Sequence, residues 1–301
     1  MMNQAAPVLI AGRTGTLGRA FARICGERGL EYQLLSRAQM DIADLESVSA
    51  AIERWRPWAI VNAAGYVRVD DAELESERCM RENSTGTAVL AAACNNRGIK
   101  LLSFSSDLVF DGEKTTPYVQ SDPVRPLNVY GRSKAEAERA MLALSPEALI
   151  VRASAFFGPW DEYNFVTATL KALAQGEQVT AVSDYLVSPT YVPDLVHASL
   201  DLMIDDQQGI WHLANRGAVT WSELALMTAR MAGISTARLA HGRNCQWTST
   251  AVRPRYSVLA SERADLMPTL MNALSRYFAH PDLPWRSATL LHPDLENGLA
   301  A

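Results

Sequence analysis

The sequence has few residues of the kinds that bind metal ions or form disulfides. Its four cysteines include no CxxC pair, and its five histidines form no HxxxH or HExxH cluster. These spacings exclude the common zinc and redox motifs. We therefore expect no metal ion, and we predict that the cysteines are reduced thiols buried in a core, namely Cys25, Cys79, Cys94 and Cys245.

Long apolar segments and an excess of positive charge are also absent. No run approaches the roughly 18 apolar residues that span a bilayer, and the N-terminus lacks the basic and apolar regions of a signal peptide. The net charge of −5 at pH 7 does not favour nucleic acids or anionic membranes. We therefore expect a cytoplasmic protein with neither nucleic acid nor membrane as a partner.

Short apolar runs that alternate with helical patterns are present instead. Between the runs lie predicted helices, including one that begins at the N-cap Asp44 and a long one from about 73 to 97. This alternation predicts an α/β fold with a doubly wound parallel sheet of the Rossmann type. The predicted strands are 8–11, 32–35, 59–65, 100–106, 148–152 and 210–213.

The length of 301 residues and the hydrophobic share of 48% allow a nucleotide-binding domain with a smaller companion. Residues 1–151, with returning segments at about 177–215, are predicted to form the dinucleotide-binding domain. Residues 152–176 and 216–301 are predicted to form a second, smaller C-terminal substrate domain. Within it, the polar stretch 242–256 is predicted to be irregular and the residues from Pro281 to be a partly ordered tail.

A glycine-rich turn follows the first predicted strand. Gly12 can form the tight turn, Gly15 lets backbone amides approach a pyrophosphate, and Gly18 lets the next helix pack closely on the strand. A plain glycine turn is the alternative. The residues predicted to bind a dinucleotide here are Gly12, Arg13, Thr14, Gly15, Thr16, Leu17 and Gly18.

The second predicted strand ends without the carboxylate that usually binds the ribose of NAD. Arg37 stands there instead, and with Arg13 it could bind a 2′-phosphate, so we predict NADPH in preference to NADH, with NADH possible. Two exposed surface arginines are the alternative. Asp41 and Ile42 are predicted to border the adenine. The third strand ends in small residues that would let the cofactor lie against the backbone, namely Ala63, Ala64 and Gly65.

A tyrosine and a lysine four residues apart, Tyr130 and Lys134, share one face of a predicted helix. A nearby ammonium lowers the pKa of a phenol from its ordinary value of about 10, which makes the phenol a usable acid. Ser106 ends the fourth strand, where its hydroxyl could face Tyr130 and stabilise a developing alkoxide. The same residue types also occur by chance on exposed helices and at strand ends.

The order of these motifs resembles that of the extended short-chain dehydrogenases/reductases. Within that superfamily, segments 69–73, 105–112, 130–134 and 253–254 are similar to the dTDP-4-dehydrorhamnose reductase family, and the likeness runs from about Val8 to Phe278. The resemblance implies reduction of the C4 ketone of a nucleotide-linked 6-deoxyhexulose, with Ser106, Tyr130 and Lys134 as catalytic residues. Tyr130 and Lys134 would also contact the cofactor. The predicted substrate residues are Val67, Ser106, Asp107, Asn164 and Arg253.

Departures from the family pattern lie mainly on the sugar side. Leu108 replaces a tyrosine, Ala155 a tryptophan, Tyr185 a glutamine and Ala260 an aspartate, while the catalytic set is kept. Two alternatives therefore stay open. One is a nucleotide-sugar 4-epimerase, and the other is a noncatalytic NADP-binding regulatory subunit similar to the methionine adenosyltransferase β subunit. A homodimer is expected because it is the commonest oligomer of soluble proteins.

Overall fold

The computed structural model describes residues 6–242 and 249–286. Helices and strands alternate along the first half, as the apolar runs predict. The strands are β1 Val8–Ala11, β2 Tyr32–Leu35, β3 Ala59–Asn62, β4 Lys100–Ser106, β5 Leu149–Ala153, β6 Phe156–Phe157, β7 Val179–Val182, β8 Leu186–Val187, β9 Thr190–Tyr191, β10 Gly209–His212, β11 Val219–Thr220 and β12 Leu239–Gly242. The helices are α1 Thr16–Glu27, α2 Leu45–Trp55, α3 Ser76–Met80, α4 Gly86–Asn95, α5 Val129–Leu144, α6 Phe165–Ala174, α7 Val192–Ile204, α8 Trp221–Met231 and α9 Leu270–Ala279.

Six parallel strands form the central sheet in the order β10-β5-β4-β3-β1-β2. This confirms the predicted doubly wound α/β fold. The chain leaves β1 toward β2 on one side and then returns to β3 on the other. Because the strand order reverses there, a crevice opens outside the carboxyl ends of β1 and β3.

Both faces of the sheet are covered by helices. Side chains from α1 and α7 pack on one face, and side chains from α2, α4 and α5 pack on the other. Successive residues of a strand point to opposite faces, so in β1 Val8 and Ile10 enter one core while Leu9 and Ala11 enter the other. Burial on both faces explains why the strands are continuous apolar runs.

The predicted helix over 73–97 is interrupted. A 3-10 turn, Asp71–Glu73, precedes α3, and a π-helical turn, Arg81–Thr85, joins α3 to α4. A π turn places one extra residue in the helix, which changes the direction of the side chains around it. The predicted N-cap of α2 is confirmed, because the Asp44 carboxylate accepts hydrogen bonds from the amides of Glu46 and Ser47.

A second hydrophobic core lies in the C-terminal half, where side chains of α6, α8 and α9 pack together. Only part of the predicted returning segment 177–215 joins the central sheet. Helix α7 packs on the sheet and β10 pairs with β5, whereas β7 pairs with β12 and β8 pairs with β11. Strands β7 and β8 therefore belong with C-terminal strands. The position of the domain boundary stays a prediction.

Three of the predicted buried thiols lie within the described residues. Cys25, Cys79 and Cys94 are buried and unpaired. Cys245, part of the polar stretch 242–256 and most of the predicted tail lie outside the described residues. Among helices in residues 6–242 and 249–286, none is both long and apolar enough to cross a bilayer.

Candidate active site

Two adjoining cavities open at the carboxyl edge of the sheet. The larger has a volume of about 1010 Å³ and the smaller of about 340 Å³. Segments that follow β1, β3 and β4 reach this edge, as expected for ligand sites in open α/β sheets. The residues that border both cavities are Leu17, Ala63, Ala64, Gly65, Val67 and Phe156.

The larger cavity gathers most of the predicted cofactor-binding residues. Gly18 does not line it, and Tyr130 and Lys134 line the smaller cavity. The predicted cofactor-binding residues that line the larger cavity are Gly12, Arg13, Thr14, Gly15, Thr16, Leu17, Arg37, Asp41, Ile42, Ala63, Ala64 and Gly65.

Close backbone packing explains two of the three glycines of the turn. Gly12 has a φ of +109°, and a Cβ there would lie 2.6 Å from the carbonyl oxygen of Ala63. A Cβ at Gly18 would lie 2.1 Å from the carbonyl oxygen of Gly12. Around Gly15 the nearest atom is 3.6 Å from the corresponding position, and Gly15 precedes α1 without a side-chain cap. The first amides of α1 are therefore open to a phosphate group.

Charged side chains surround the part of the larger cavity that follows β2. Arg37 donates hydrogen bonds to Glu82 at 2.9 Å and to Asp41 at 3.4 Å, and Arg81 donates to Asp41 at 2.9 Å. Burial opposes the ionisation of Asp41, but the hydrogen bond and charge of Arg81 outweigh it and leave the pKa of Asp41 below its usual value. Arg37 is thus already held by carboxylates, while Arg13 is exposed.

The predicted catalytic residues meet in the smaller cavity. Helix α5 begins after Asn128, whose side chain accepts a hydrogen bond from the amide of Gly131 at 2.7 Å. A Cβ at Gly131 would lie 2.2 Å from the carbonyl oxygen of Leu108, so the helix packs directly on the turn that follows β4. This contact brings Tyr130 into the cavity that Ser106 also lines.

The ionisation of this pair differs from the prediction. Burial, and next the charge of Asp107, raise the pKa of Tyr130 above its ordinary value, although Ser106 opposes the shift. Burial also lowers the pKa of Lys134 to about 8. The Lys134 Nζ donates to the carbonyl oxygen of Phe104 at 3.1 Å and lies 5.8 Å from the centroid of the Tyr130 ring. The pKa of the phenol is therefore raised in this geometry and not lowered as predicted, because burial and the charge of Asp107 outweigh the opposing effect of Ser106.

Asn83 lies behind Gly65, which lines both cavities, and the sequence patterns do not reveal its role. It lies in the π-helical turn, and its side chain accepts a hydrogen bond from the amide of Tyr66 at 2.8 Å. It also donates to the carbonyl oxygen of Tyr66 at 3.0 Å and to the hydroxyl of Ser133 at 2.9 Å. Asn83 thus links the segment after β3 to the helix of Tyr130. An asparagine within a helical pattern gives no signal of such a role.

The predicted substrate residues do not all meet. Val67, Ser106, Asp107 and Arg253 line the smaller cavity, and the Arg253 guanidinium binds the Asp70 carboxylate at 2.7 and 2.9 Å. Asn164 lies elsewhere, at the larger cavity. Its side chain accepts from the amide of Thr167 and donates to the carbonyl oxygen of Asp161, so it caps α6. A contact of Asn164 with the substrate stays a prediction.

Two aromatic residues, Tyr185 and Trp221, complete the wall of the smaller cavity. Tyr185 stands where the resembling family has a glutamine, and it is 7% exposed. Trp221 is the first residue of α8 and lies between Thr220 and Glu223, which form a capping box. The sequence predicts α8 as an amphipathic helix but gives no sign that its first residue faces a cavity. Ala155, in place of a tryptophan, borders the same space with a φ of +40°.

Together the fold and the site define an oxidoreductase of the extended short-chain dehydrogenase/reductase class. Residues 6–276 match the family model described as RmlD substrate binding domain, so the chain belongs to that family. The predicted resemblance is thereby confirmed.

Two named relatives and one related crystal structure are consistent with membership of this family. The chain is 36% identical to a dTDP-4-dehydrorhamnose reductase of Streptomyces griseus, over 85% of this chain and 86% of that protein. It is 34% identical to a dTDP-4-keto-6-deoxy-D-glucose reductase of Streptomyces niveus, over 84% of this chain and 88% of that protein. A crystal structure of dTDP-4-dehydrorhamnose reductase from Bacillus anthracis in complex with NADP has a TM-score of 0.87 and 28% identity, over 91% of this chain and 99% of that one.

Proposed function

We propose that the protein is an NADPH-dependent reductase of the C4 ketone of a nucleotide-linked 6-deoxy-4-ketohexose. One observation carries the proposal: Tyr130, Ser106 and Lys134 line one cavity, and that cavity adjoins a dinucleotide-sized one. The names of the Streptomyces relatives support the same substrate class.

The larger cavity fits a dinucleotide. Its glycine turn leaves no room for side chains at Gly12, and the uncapped start of α1 offers amides to the pyrophosphate. Arg13 and Arg37 would bind a 2′-phosphate, and the NADP complex of the Bacillus anthracis relative supports this choice. When bound, NADPH supplies the hydride.

Each residue of the catalytic set has one task. Tyr130 donates its phenolic proton to the carbonyl oxygen as that oxygen gains negative charge. Ser106 donates a hydrogen bond to the same oxygen and keeps it beside the phenol. Lys134, which donates a hydrogen bond to the carbonyl oxygen of Phe104, would bind the nicotinamide ribose. The predicted homodimer and cytoplasmic location remain predictions.

The test is a reductase assay over a panel of nucleotide-linked 4-ketosugars, with NADPH or NADH as the reductant. We expect turnover of 6-deoxy-4-ketohexoses, faster at low concentrations of NADPH than of NADH. Tyr130→Phe removes the acid and should lower kcat by about 10²- to 10⁴-fold. Tyr163→Phe is the matched control, because Tyr163 borders the larger cavity and is 86% exposed.

Other outcomes would identify the alternatives. Full activity of Tyr130→Phe would refute the assigned acid. A protein that retains stoichiometric NAD and interconverts sugars without added reductant would be a 4-epimerase. A protein that reduces no ketosugar but co-purifies with an unrelated catalytic subunit would be a regulatory subunit.

A further inference from the structure

Glu82 is a carboxylate at the wall of the larger cavity to which no motif of the sequence gives a task. It lies in the π-helical turn, Arg81–Thr85, and its side chain is 15% exposed. Its Oε1 accepts a hydrogen bond from Arg37 Nη1 at 2.9 Å and another from Arg78 Nε at 3.0 Å. A carboxylate beside a cavity that takes a polyanionic cofactor opposes binding unless a cation compensates its charge. In this structure the two arginines supply that compensation.

Asp41 is a second carboxylate that contacts the same arginine. Arg37 Nε lies 3.4 Å from Asp41 Oδ2, and Arg81 Nη2 donates to that oxygen at the shorter distance of 2.9 Å. The other oxygen of Asp41 accepts a hydrogen bond from the amide of Ala43 at 3.0 Å. Asp41 is therefore held mainly by Arg81 and by the backbone. Of the two carboxylates, Glu82 makes the closer contact with Arg37.

The guanidinium of Arg37 contacts these carboxylates with the nitrogen atoms that a phosphate needs. A guanidinium binds a phosphate through two N–H groups on one edge, either Nε with one Nη or the two Nη atoms together. In Arg37 the Nε contacts Asp41 and Nη1 donates to Glu82, so each edge includes a nitrogen that already contacts a carboxylate. The side chain of Arg37 is 58% exposed, and exposed ion pairs are weak. A 2′-phosphate can therefore take Arg37 from Glu82, but it has to compete for it.

We propose that Glu82 sets the preference between NADPH and NADH by competing with the 2′-phosphate for Arg37. The proposal rests on the proposed function, in which Arg37 binds that phosphate. A phosphate monoester carries a charge of about −1.5 to −2 at pH 7, so NADPH brings a second anion to Arg37 and draws it away from Glu82. NADH has a hydroxyl at the same position and leaves the ion pair intact. Glu82 thus weakens the binding of NADPH and not that of NADH.

The experiment is an equilibrium fluorescence titration of the full-length protein with NADPH and with NADH, in the absence of a sugar substrate. Glu82→Gln keeps the shape of the side chain but removes its charge, so Arg37 is released to the phosphate. We expect the Kd for NADPH to fall by about 3- to 10-fold and the Kd for NADH to stay within about 2-fold. Glu82→Asp shortens the reach toward Arg37 and should tighten NADPH binding by a smaller factor. If Glu82→Gln does not fold, Glu82→Asp decides by the same ratio of Kd values.

Glu75→Gln is the matched control. Glu75 binds Arg78 at 2.9 Å, as Glu82 does at 3.0 Å, but it does not line the larger cavity. Its substitution changes the net charge by the same amount and should leave the ratio of the two Kd values unchanged. A double-mutant cycle tests the route through Arg37. In an Arg37→Ala background, which should itself weaken NADPH binding, Glu82→Gln should tighten NADPH binding by less than about 2-fold.

Two results would overturn the proposal and leave the reductase function intact. One is a folded Glu82→Gln protein in which the ratio of the Kd values for NADPH and NADH equals that of the wild type. The other is an equal gain from Glu82→Gln with and without Arg37, which would mean that the carboxylate repels the phosphate directly. A wild-type protein that binds neither nucleotide and reduces no ketosugar would refute the proposed function, and the proposal with it.

Discussion

At the residue scale, the position of the candidate catalytic groups is easier to predict than their ionisation. The spacing of Tyr130 and Lys134 and the strand-end position of Ser106 follow from local sequence. The pKa values do not, because burial also comes from distant segments such as 253–257, which contributes to the lining of the smaller cavity. The same dependence on distant segments hides Asn83, whose partners Tyr66 and Ser133 are 17 and 50 residues away in the chain.

The buried side chain of Lys134 should lower the free energy of unfolding of the protein. Burial lowers its pKa from an ordinary value of 10.5 to about 8 in the folded protein. The unfolded chain therefore binds more protons between these values, so stability rises with pH across that window and is lowest below pH 8. At pH 7 the deficit is about 3 kcal/mol. Lys134→Met should raise the free energy of unfolding by up to that amount and impair turnover.

Urea unfolding at pH 7 and pH 10 measures this effect. The wild type should gain stability at the higher pH relative to Lys134→Met. Lys171→Met, in the last turn of α6, is the control for removal of a lysine outside the site. A Lys134→Met protein that is less stable than the wild type at pH 7 would contradict the argument.

At the element scale, the predictable elements are those whose stabilising contacts lie between residues close together in the sequence. The strand, glycine turn and helix from Val8 to Glu27 follow from local pattern, as does α2 with its N-cap Asp44. The π-helical turn, Arg81–Thr85, does not, because Asn83 packs there against two other segments. Likewise β7 and β8 pair with strands more than 30 residues later, and no local pattern specifies those partners.

The glycine turn permits a test that separates packing from cofactor binding. Gly18→Ala would place a methyl group 2.1 Å from the carbonyl oxygen of Gly12, so α1 must move away from the turn. We expect a loss of about 1–3 kcal/mol in the free energy of unfolding, with weaker NADPH binding. Gly15→Ala meets no atom closer than 3.6 Å and should leave stability nearly unchanged. Its methyl group borders the phosphate site, so NADPH binding should still weaken.

Thermal unfolding and NADPH fluorescence titration together distinguish the two variants. Equal stability of Gly18→Ala and the wild type would show that the turn relaxes freely. A Gly15→Ala protein that binds NADPH as tightly as the wild type would remove Gly15 from the cofactor site.

At the scale of the whole molecule, a buried polar cluster joins the sheet to the C-terminal half. Arg152 on β5 donates two hydrogen bonds to the carboxylate of Glu138, at 2.7 and 2.6 Å, and both residues are buried. Arg152 also contacts Nε2 of His212 on β10 at 3.2 Å. Because arginine can only donate, Nε2 is the acceptor and Nδ1–H donates to the carbonyl oxygen of Ala260 at 2.9 Å. The cluster cannot be predicted from the sequence, since Glu138 and His212 are 14 and 60 residues away from Arg152.

Because His212 is neutral in this tautomer, its protonation should lower the stability of the protein at acidic pH. Burial, and next the charge of Arg152, lower the pKa of His212 from 6.5 to about 4. Between these values the unfolded chain binds the extra proton, so stability is complete above pH 6.5 and falls as the pH drops toward 4. The expected loss by pH 4 is about 3 kcal/mol. Asp107, with its raised pKa, changes stability in the opposite direction within part of this window.

A variant comparison therefore isolates the histidine. His212→Asn should be less stable than the wild type at pH 7, because Arg152 loses an acceptor, but its free energy of unfolding should change less between pH 7 and pH 4.5. Urea unfolding across that range measures both slopes, with His197→Asn on the exposed side of α7 as the control. Parallel slopes for the wild type and His212→Asn would mean that His212 accepts a proton without loss of the cluster. The link between the sheet and the C-terminal half would then not depend on the neutral imidazole.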